Sequence, residues 1–330
     1  MISASPVSTP LPPRNGGKVT LIAEGRVNPG QVSGDGNAVV FGEFDPSVGE
    51  SVFRWEEGDV VKLNQDGFSS FQVRCNHDAS VATFHRYSVE DAFDKTGNWD
   101  IARWENGNIE VIAGTVEDEM SPSIDSSGDT IVYDREISET KTAVIGRWHK
   151  GETETLTDGK ATDLFAEVSG NGERVVWRRN LNQVFLRDQN QVNKPIATFG
   201  DKTAGLTIDH EGNKILYAAR DEEGDQNLYL TDIKTNQTVE VSAVKGMSEY
   251  DGQISGDGST VVFTGLDRRK EKADMNVYVW RNGKTEQLTW DDGGINTKAT
   301  VSDDGNAVSW YWINREDTNH RKVLLWEKGV

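Results

Sequence analysis

Residues 254–263 read ISGDGSTVVF: a polar turn rich in glycine followed by a β-branched and aromatic run, the composition of a tight turn entering a strand. The signature returns along the whole chain. With the residue at the place of Ser255 as the mark, copies start at Ser33, Cys75, Asp125, Ser169, Asp209, Ser255 and Ser302, spaced 40 to 50 residues apart. They read SGDGNAVVF, CNHDASVAT, DSSGDTIVY, SGNGERVVW, DHEGNKILY, SGDGSTVVF and SDDGNAVSW. A self-similar period of this length denotes a repeat architecture, here with β chemistry in every unit. The DG and NG pairs fit the left-handed dihedrals of a two-residue hairpin, so SGDG is read as a hairpin turn and not as a metal loop.

In the first unit, strands are expected at 31–33, 38–42, 51–55 and 59–63, a four-stranded meander. Outer strands follow at 108–112, 152–156, 238–242 and 284–289. The seventh unit supplies three strands, the last at 324–326, and lacks a fourth. An orphan strand at 18–23, KVTLIA, stands ahead of the first unit, and the Asn15-Gly16-Gly17-Lys18 before it matches the Arg281-Asn282-Gly283-Lys284 turn of the sixth. Pairing the orphan with the last unit removes an exposed sheet edge. The predicted fold is all-β: a seven-bladed β-propeller of four-stranded antiparallel blades, closed by the N-terminal strand 18–23 completing the last blade. Residues 1–17, holding four of the eight prolines, are read as a proline-rich arm, and 18–330 as one propeller domain. A Trp-x-x-Gly pattern at Trp55, Trp104, Trp148, Trp280 and Trp326 is read as packing between neighbouring blades, since a buried indole covers a large apolar area.

The repeated S-x-D-G-x-x-V-V-F, followed by a polar loop and a strand such as Val277-Tyr278-Val279-Trp280, resembles the TolB-type, WD-like propeller repeat over nearly the whole chain from Lys18. The resemblance implies the propeller fold. Its members include periplasmic binding scaffolds, gating propellers of serine peptidases and some polysaccharide lyases. The proline usual between Ser and Asp of the turn is replaced by Gly34, Gly170, Gly256 and Asp303.

The formal charge of −19 opposes nucleic acid and anionic membranes. The lone Cys75 forms no internal disulfide and is expected to be buried in the second turn. No apolar run long enough to span a membrane and no secretory signal is read, which places the protein in the cytoplasm or in a virus particle or other large assembly.

In a propeller the second-to-third strand loops and the connections between blades gather on one face, and function is expected there. Its long loops at 86–98, 135–142, 220–226, 267–275 and 314–320 carry charges of both signs, among them Glu90, Asp91, Asp94, Glu222, Glu223, Lys270 and Lys272. Arg86, Arg135, Arg178, Arg220, Arg268 and Arg315 follow the second strand in six units. A ring of planar guanidinium forks suits a carboxylate-bearing ligand or peptide, although the same arginines could tie loops to neighbouring acids. Glu117, Asp118, Asp291 and Asp292 are hard oxygen ligands of the kind calcium takes, without EF-hand spacing. No other cofactor is indicated. The five histidines are scattered, and neither HExxH nor G-x-S-x-G occurs, so a zinc protease or a propeller-linked hydrolase is not encoded.

The functional expectation is a non-enzymatic binding or scaffold propeller whose loop face holds a protein partner, with no nucleic acid and no membrane insertion. A structural component of a virion or cell surface, its arm docked to a neighbour, is one alternative. The other is a lyase on acidic carbohydrate, with arginines neutralising the uronate and a tyrosine or His85 as base.

Overall fold

The computed structural model describes residues 16–88, 98–188, 190, 193–199, 204–221, 224–241, 246–269, 274–290 and 293–329. Twenty-eight strands, β1–β28 in chain order, form seven four-stranded antiparallel sheets. Blades 1 to 6 are β2–β5 (27–62), β6–β9 (68–113), β10–β13 (119–155), β14–β17 (163–198), β18–β21 (204–240) and β22–β25 (247–287). Blade 7 takes β26 (Gly294–Val301), β27 (Ala307–Asn314) and β28 (Arg321–Glu327), and then β1 (Lys18–Gly25) as its outermost strand. The expected closure is present: Lys18 pairs with Glu327 and Gly25 with Arg321, with one bulge between Leu21 and Ala23. Of the proline-rich stretch only Gly16 and Gly17 belong to the described residues.

Burial explains why the strands differ in how clearly they read. The second strand of each blade is sandwiched between neighbouring sheets, and β3 (Ala38–Asp45) is buried from Ala38 to Gly42. Outer strands such as β5 (Asp59–Lys62) and β13 (Glu152–Thr155) are exposed at every residue, so they need no apolar alternation. The core lies between blades. Ile101 and Ile112 of blade 2 pack with Ile131, Tyr133 and Trp148 of blade 3. Trp104 joins Ala38 and Val40 of blade 1, Trp326 joins Val262 and Val277 of blade 6, and Trp55 and Trp280 pack against two further clusters. The repeated tryptophans are therefore inter-blade packing.

The turns between first and second strands correct two expectations. Each turn closes over four residues, not two: the Ser33 amide donates to the Ala38 carbonyl at 2.9 Å and the Gly36 amide to the Ser33 carbonyl at 3.0 Å. Only the third of these four residues is left-handed, Gly36 at φ 82°, the arrangement of a loop built around a type I turn. In the second copy that place falls to Ala79, at φ 53°, and the Asn76 amide donates to the Val81 carbonyl. The mark there is consequently Asn76. Cys75 is the buried last residue of β6 (Phe68–Cys75), one position before the turn.

The residues after each mark join blade to blade by backbone hydrogen bonds around one end of the propeller. Asp35 donates to the His77 carbonyl, His77 to Ser126, Ser126 to Gly170, Asn171 to His210, His210 to Gly256, Asp257 to Asp303 and Asp303 to Gly34, at 2.8–3.2 Å. Such an approach leaves little room for side chains. A Cβ at Gly170 would lie 2.4 Å from His210 Nδ1 and 2.7 Å from Ser126 Oγ. Glycine in place of the usual proline thus goes with a narrow end drawn tight.

Candidate functional site in the central channel

The seven innermost strands line a channel along the propeller axis, and each carries a bulge midway. Register slips between Asn28 and Gln31, Phe71 and Arg74, Met120 and Ser123, Leu164 and Glu167, Ala204 and Leu206, Tyr250 and Gln253, and Thr297 and Thr300. Gln72, Ser121, Phe165, Asp251 and Lys298, all non-glycine, take φ of 50–57° at these bulges. Left-handed backbone at such residues is costly and clusters where a structure uses it; here it brings those residues to the wall of the wide half of the channel. That half is a cavity of about 470 Å³, open on the face of the second-to-third strand loops, and the half toward the narrow end is about 110 Å³.

Between the halves lies a waist of one residue per blade: Gln31, Arg74, Ser123, Glu167, Thr207, Gln253 and Thr300, each two positions before its turn mark. Three of them also fasten blades together. Thr300 Oγ1 accepts the Val32 amide at 2.9 Å, Gln31 Oε1 the Cys75 amide at 3.2 Å, and Ser123 Oγ the Val168 amide at 3.2 Å. The side chains of Arg74 and Gln253 make no hydrogen bond or ion pair among the described residues, and both line the two halves.

The acids of the wide half are all engaged. Asp251 Oδ1 pairs with Lys298 Nζ at 2.6 Å. Glu50 accepts from the Asn28 side-chain amide at 2.6 Å, and burial pushes its carboxyl up to about 7 against that bond and the charge of Arg321. Glu167 accepts from the Ser123 hydroxyl at 2.7 Å; burial raises its pKa, with the Arg74 charge pulling the other way. The same wall carries Arg74, Lys298 and Arg178, whose guanidinium lies 4.0 Å over the ring of Phe165. Phe165 itself is 42% exposed.

The six arginines do not share a register. Arg86 and Arg135 stand ten residues past their marks, Arg178 nine, Arg220 eleven, and Arg268 and Arg315 thirteen. Only Arg178 lines the channel. Arg86 is buried over the Phe68 ring, and Arg135 donates to Thr155 Oγ1 at 2.7 Å. Arg268 pairs with Asp225 of the preceding blade at 3.2 Å and Arg315 with Asp274 of the preceding blade at 3.5 Å, while Arg220 is the exposed end of β19 (Lys214–Arg220). Among the calcium candidates, Glu117 accepts from the amide and hydroxyl of Ser138, and Asp118 from the Trp99 amide. Asp291 and Asp292 lie outside the described residues, as do Glu90, Asp91, Asp94, Glu222, Glu223, Lys270 and Lys272. Among the described residues no three His, Cys, Asp or Glu side chains converge to hold a metal ion.

His85 is buried, packed edge-on against Trp99 at 4.7 Å, and desolvation pushes it down to about 4. It does not line the channel, and neither does any tyrosine. No single residue type recurs at the waist in every unit, so no repeat signature marks it; a count back from each turn finds it.

No protein-family model matches the chain, and no curated protein matches it in sequence. Solved structures do. An oligogalacturonate lyase from Vibrio parahaemolyticus superposes with a TM-score of 0.70 at 13% identity, covering 94% of this chain and 93% of its own. An oligogalacturonate lyase in complex with manganese gives 0.70 at 12%, covering 95% and 93%. The β-propeller domain of the Trilobed protease from Pyrococcus furiosus gives 0.66 at 11%, covering 92% and 96%. A putative TolB from Agrobacterium tumefaciens gives 0.51 at 16%, covering 68% and 82%. The fold is a TolB-like β-propeller. At these identities the likeness reaches no further than the fold. The Pyrococcus domain is described as open velcro, whereas here β1 closes the ring.

Proposed function

We propose that this propeller is a non-enzymatic binding module that takes a segment of a protein partner into the wide mouth of its channel. The observation carrying this is the make-up of that mouth: guanidinium and amide donors and an exposed Phe165, with neither histidine nor tyrosine at the wall and every acid already hydrogen-bonded or ion-paired. Such a wall suits the binding and orienting of a segment. The lyase alternative is favoured by two fold neighbours, but neither His85 nor a tyrosine, the bases expected for it, lines this mouth. The manganese named for one neighbour finds no ligand set among the described residues.

The test is capture of partners by the intact chain beside a Phe165→Glu variant with an unchanged melting temperature. A partner held by the first and lost by the second supports the proposal. Equal capture by both moves the site off the channel. Cleavage of acidic oligosaccharides by the intact chain overturns the non-enzymatic reading.

A further inference from the structure

We propose that the waist of the channel is a carboxylate site, and that the segment entering from the wide mouth does so end-on, with its C-terminal carboxylate on Arg74. This rests on the binding-module reading above. Arg74 stands half-buried at the floor of the wide half with no side-chain hydrogen bond or ion pair among the described residues. A guanidinium so placed offers a fork of donors that matches a carboxylate in two parallel bonds.

Its neighbours extend the donor arc. The Gln31 side-chain oxygen is committed to the Cys75 amide, which leaves its NH₂ group as the hydrogen-bonding end without a partner among the described residues. The side chain of Gln253, across blade 7 from Gln31, makes no hydrogen bond among the described residues. Blades 6, 1 and 2 thus bring amide, amide and guanidinium to one side of the waist. Glu167 faces the arc from blade 4, its carboxyl bound by the Ser123 hydroxyl. Burial already favours its protonated form, so an incoming anion is met by a group that can take up a proton.

A chain end fits better than a loop. The channel holds about 470 Å³ on the mouth side of the waist and about 110 Å³ beyond it, and a loop would need room for two strands at the depth where one carboxylate meets Arg74. The residues above the end have Phe165 and Phe71 at the wall to pack against. A net charge of −19 disfavours an anion at long range, but beyond about 8 Å that field is largely screened at physiological salt, and the cations at the wall act inside this distance.

The test uses the full chain and two probes, acetyl-Ala-Ala-Ala ending in a free carboxylate and the same peptide ending in a carboxamide, followed by ligand-observed NMR titration. The carboxylate peptide is expected to bind at least about tenfold more tightly. Arg74→Gln is expected to abolish the difference, Arg74→Lys to keep part of it, and Gln253→Ala to weaken binding a few-fold. Gln253→Ala removes no side-chain hydrogen bond among the described residues and so keeps the test valid should Arg74→Gln fail to fold. The proposal is overturned if the two peptides bind equally, if Arg74→Gln binds the carboxylate peptide as the parent does, or if neither peptide binds saturably at millimolar concentration. It is also overturned if a trigalacturonate probe binds in an Arg74-dependent manner and the peptide does not. Loss of the carboxylate preference while Phe165-dependent partner capture persists would remove this inference and leave the binding module standing.

Discussion

At Gly30 the bulge of blade 1 brings two backbones together: a Cβ built there would lie 1.5 Å from the Val40 carbonyl oxygen. Because the obstacle is backbone, no rotamer change relieves it, and Gly30→Ala is expected to cost at least about 2–3 kcal/mol in urea unfolding. An unchanged midpoint would mean that the bulge relaxes freely. A second single-residue outcome concerns Glu50. Its folded pKa of about 7 stands above the ordinary 4.5, so the native state holds this proton more tightly than the unfolded chain does. Its contribution is complete below about 4.5 and is lost as pH rises toward 7. Glu50→Gln keeps an acceptor for the Asn28 amide and has no proton to lose. The variant is expected to be more stable than the parent at pH 8 by roughly 1–3 kcal/mol and nearly equal at pH 4.5; equal stability at both pH values would show that the carboxyl is not desolvated.

Among the elements, β1 carries the largest single consequence, since without it β28 presents an unpaired edge. Thr20, Leu21 and Ala23 pair with Leu325, Leu324 and Val323, and Ile22 belongs to the apolar cluster between blades 7 and 1. A chain beginning at Arg26 is expected to melt well below the parent, by about 10 °C or more, and to associate through the bared edge. Thermal melting with size-exclusion chromatography checks both, and a monomer of parental stability would count against closure by β1. The inter-blade indoles act at the same scale. Trp148, 6% exposed between blades 2 and 3, is expected to cost about 3–5 kcal/mol as Trp148→Ala.

Across the whole molecule, Asp134 and Glu249 join Glu50 as buried carboxyls pushed up to about 7, each accepting a backbone amide, from Phe165 and from Leu228. Their effects share a sign, and the self-repulsion of a chain at −19 adds to them, so overall stability is expected to fall between pH 5 and pH 8. A stability maximum above pH 7 in urea titrations would contradict it. Repeat number, the closing strand and the inter-blade tryptophans were all legible in the sequence, because each is written by a turn or an apolar run that a few adjacent residues specify. The turn geometry was less so: DG and NG pairs fit several turns, and only the hydrogen bond from Ser33 to Ala38 selects the four-residue one. The arginines after the second strand looked equivalent by position along the chain, yet different loop offsets send them to different places, and Arg178 alone reaches the channel. Arg74 and Gln253 are unremarkable in the sequence. Closing the ring sets seven polar residues of five different types at one height, and the bulge before each brings them to the channel wall, so that site belongs to the tertiary structure: its members meet only across the axis, where no local pattern can record them.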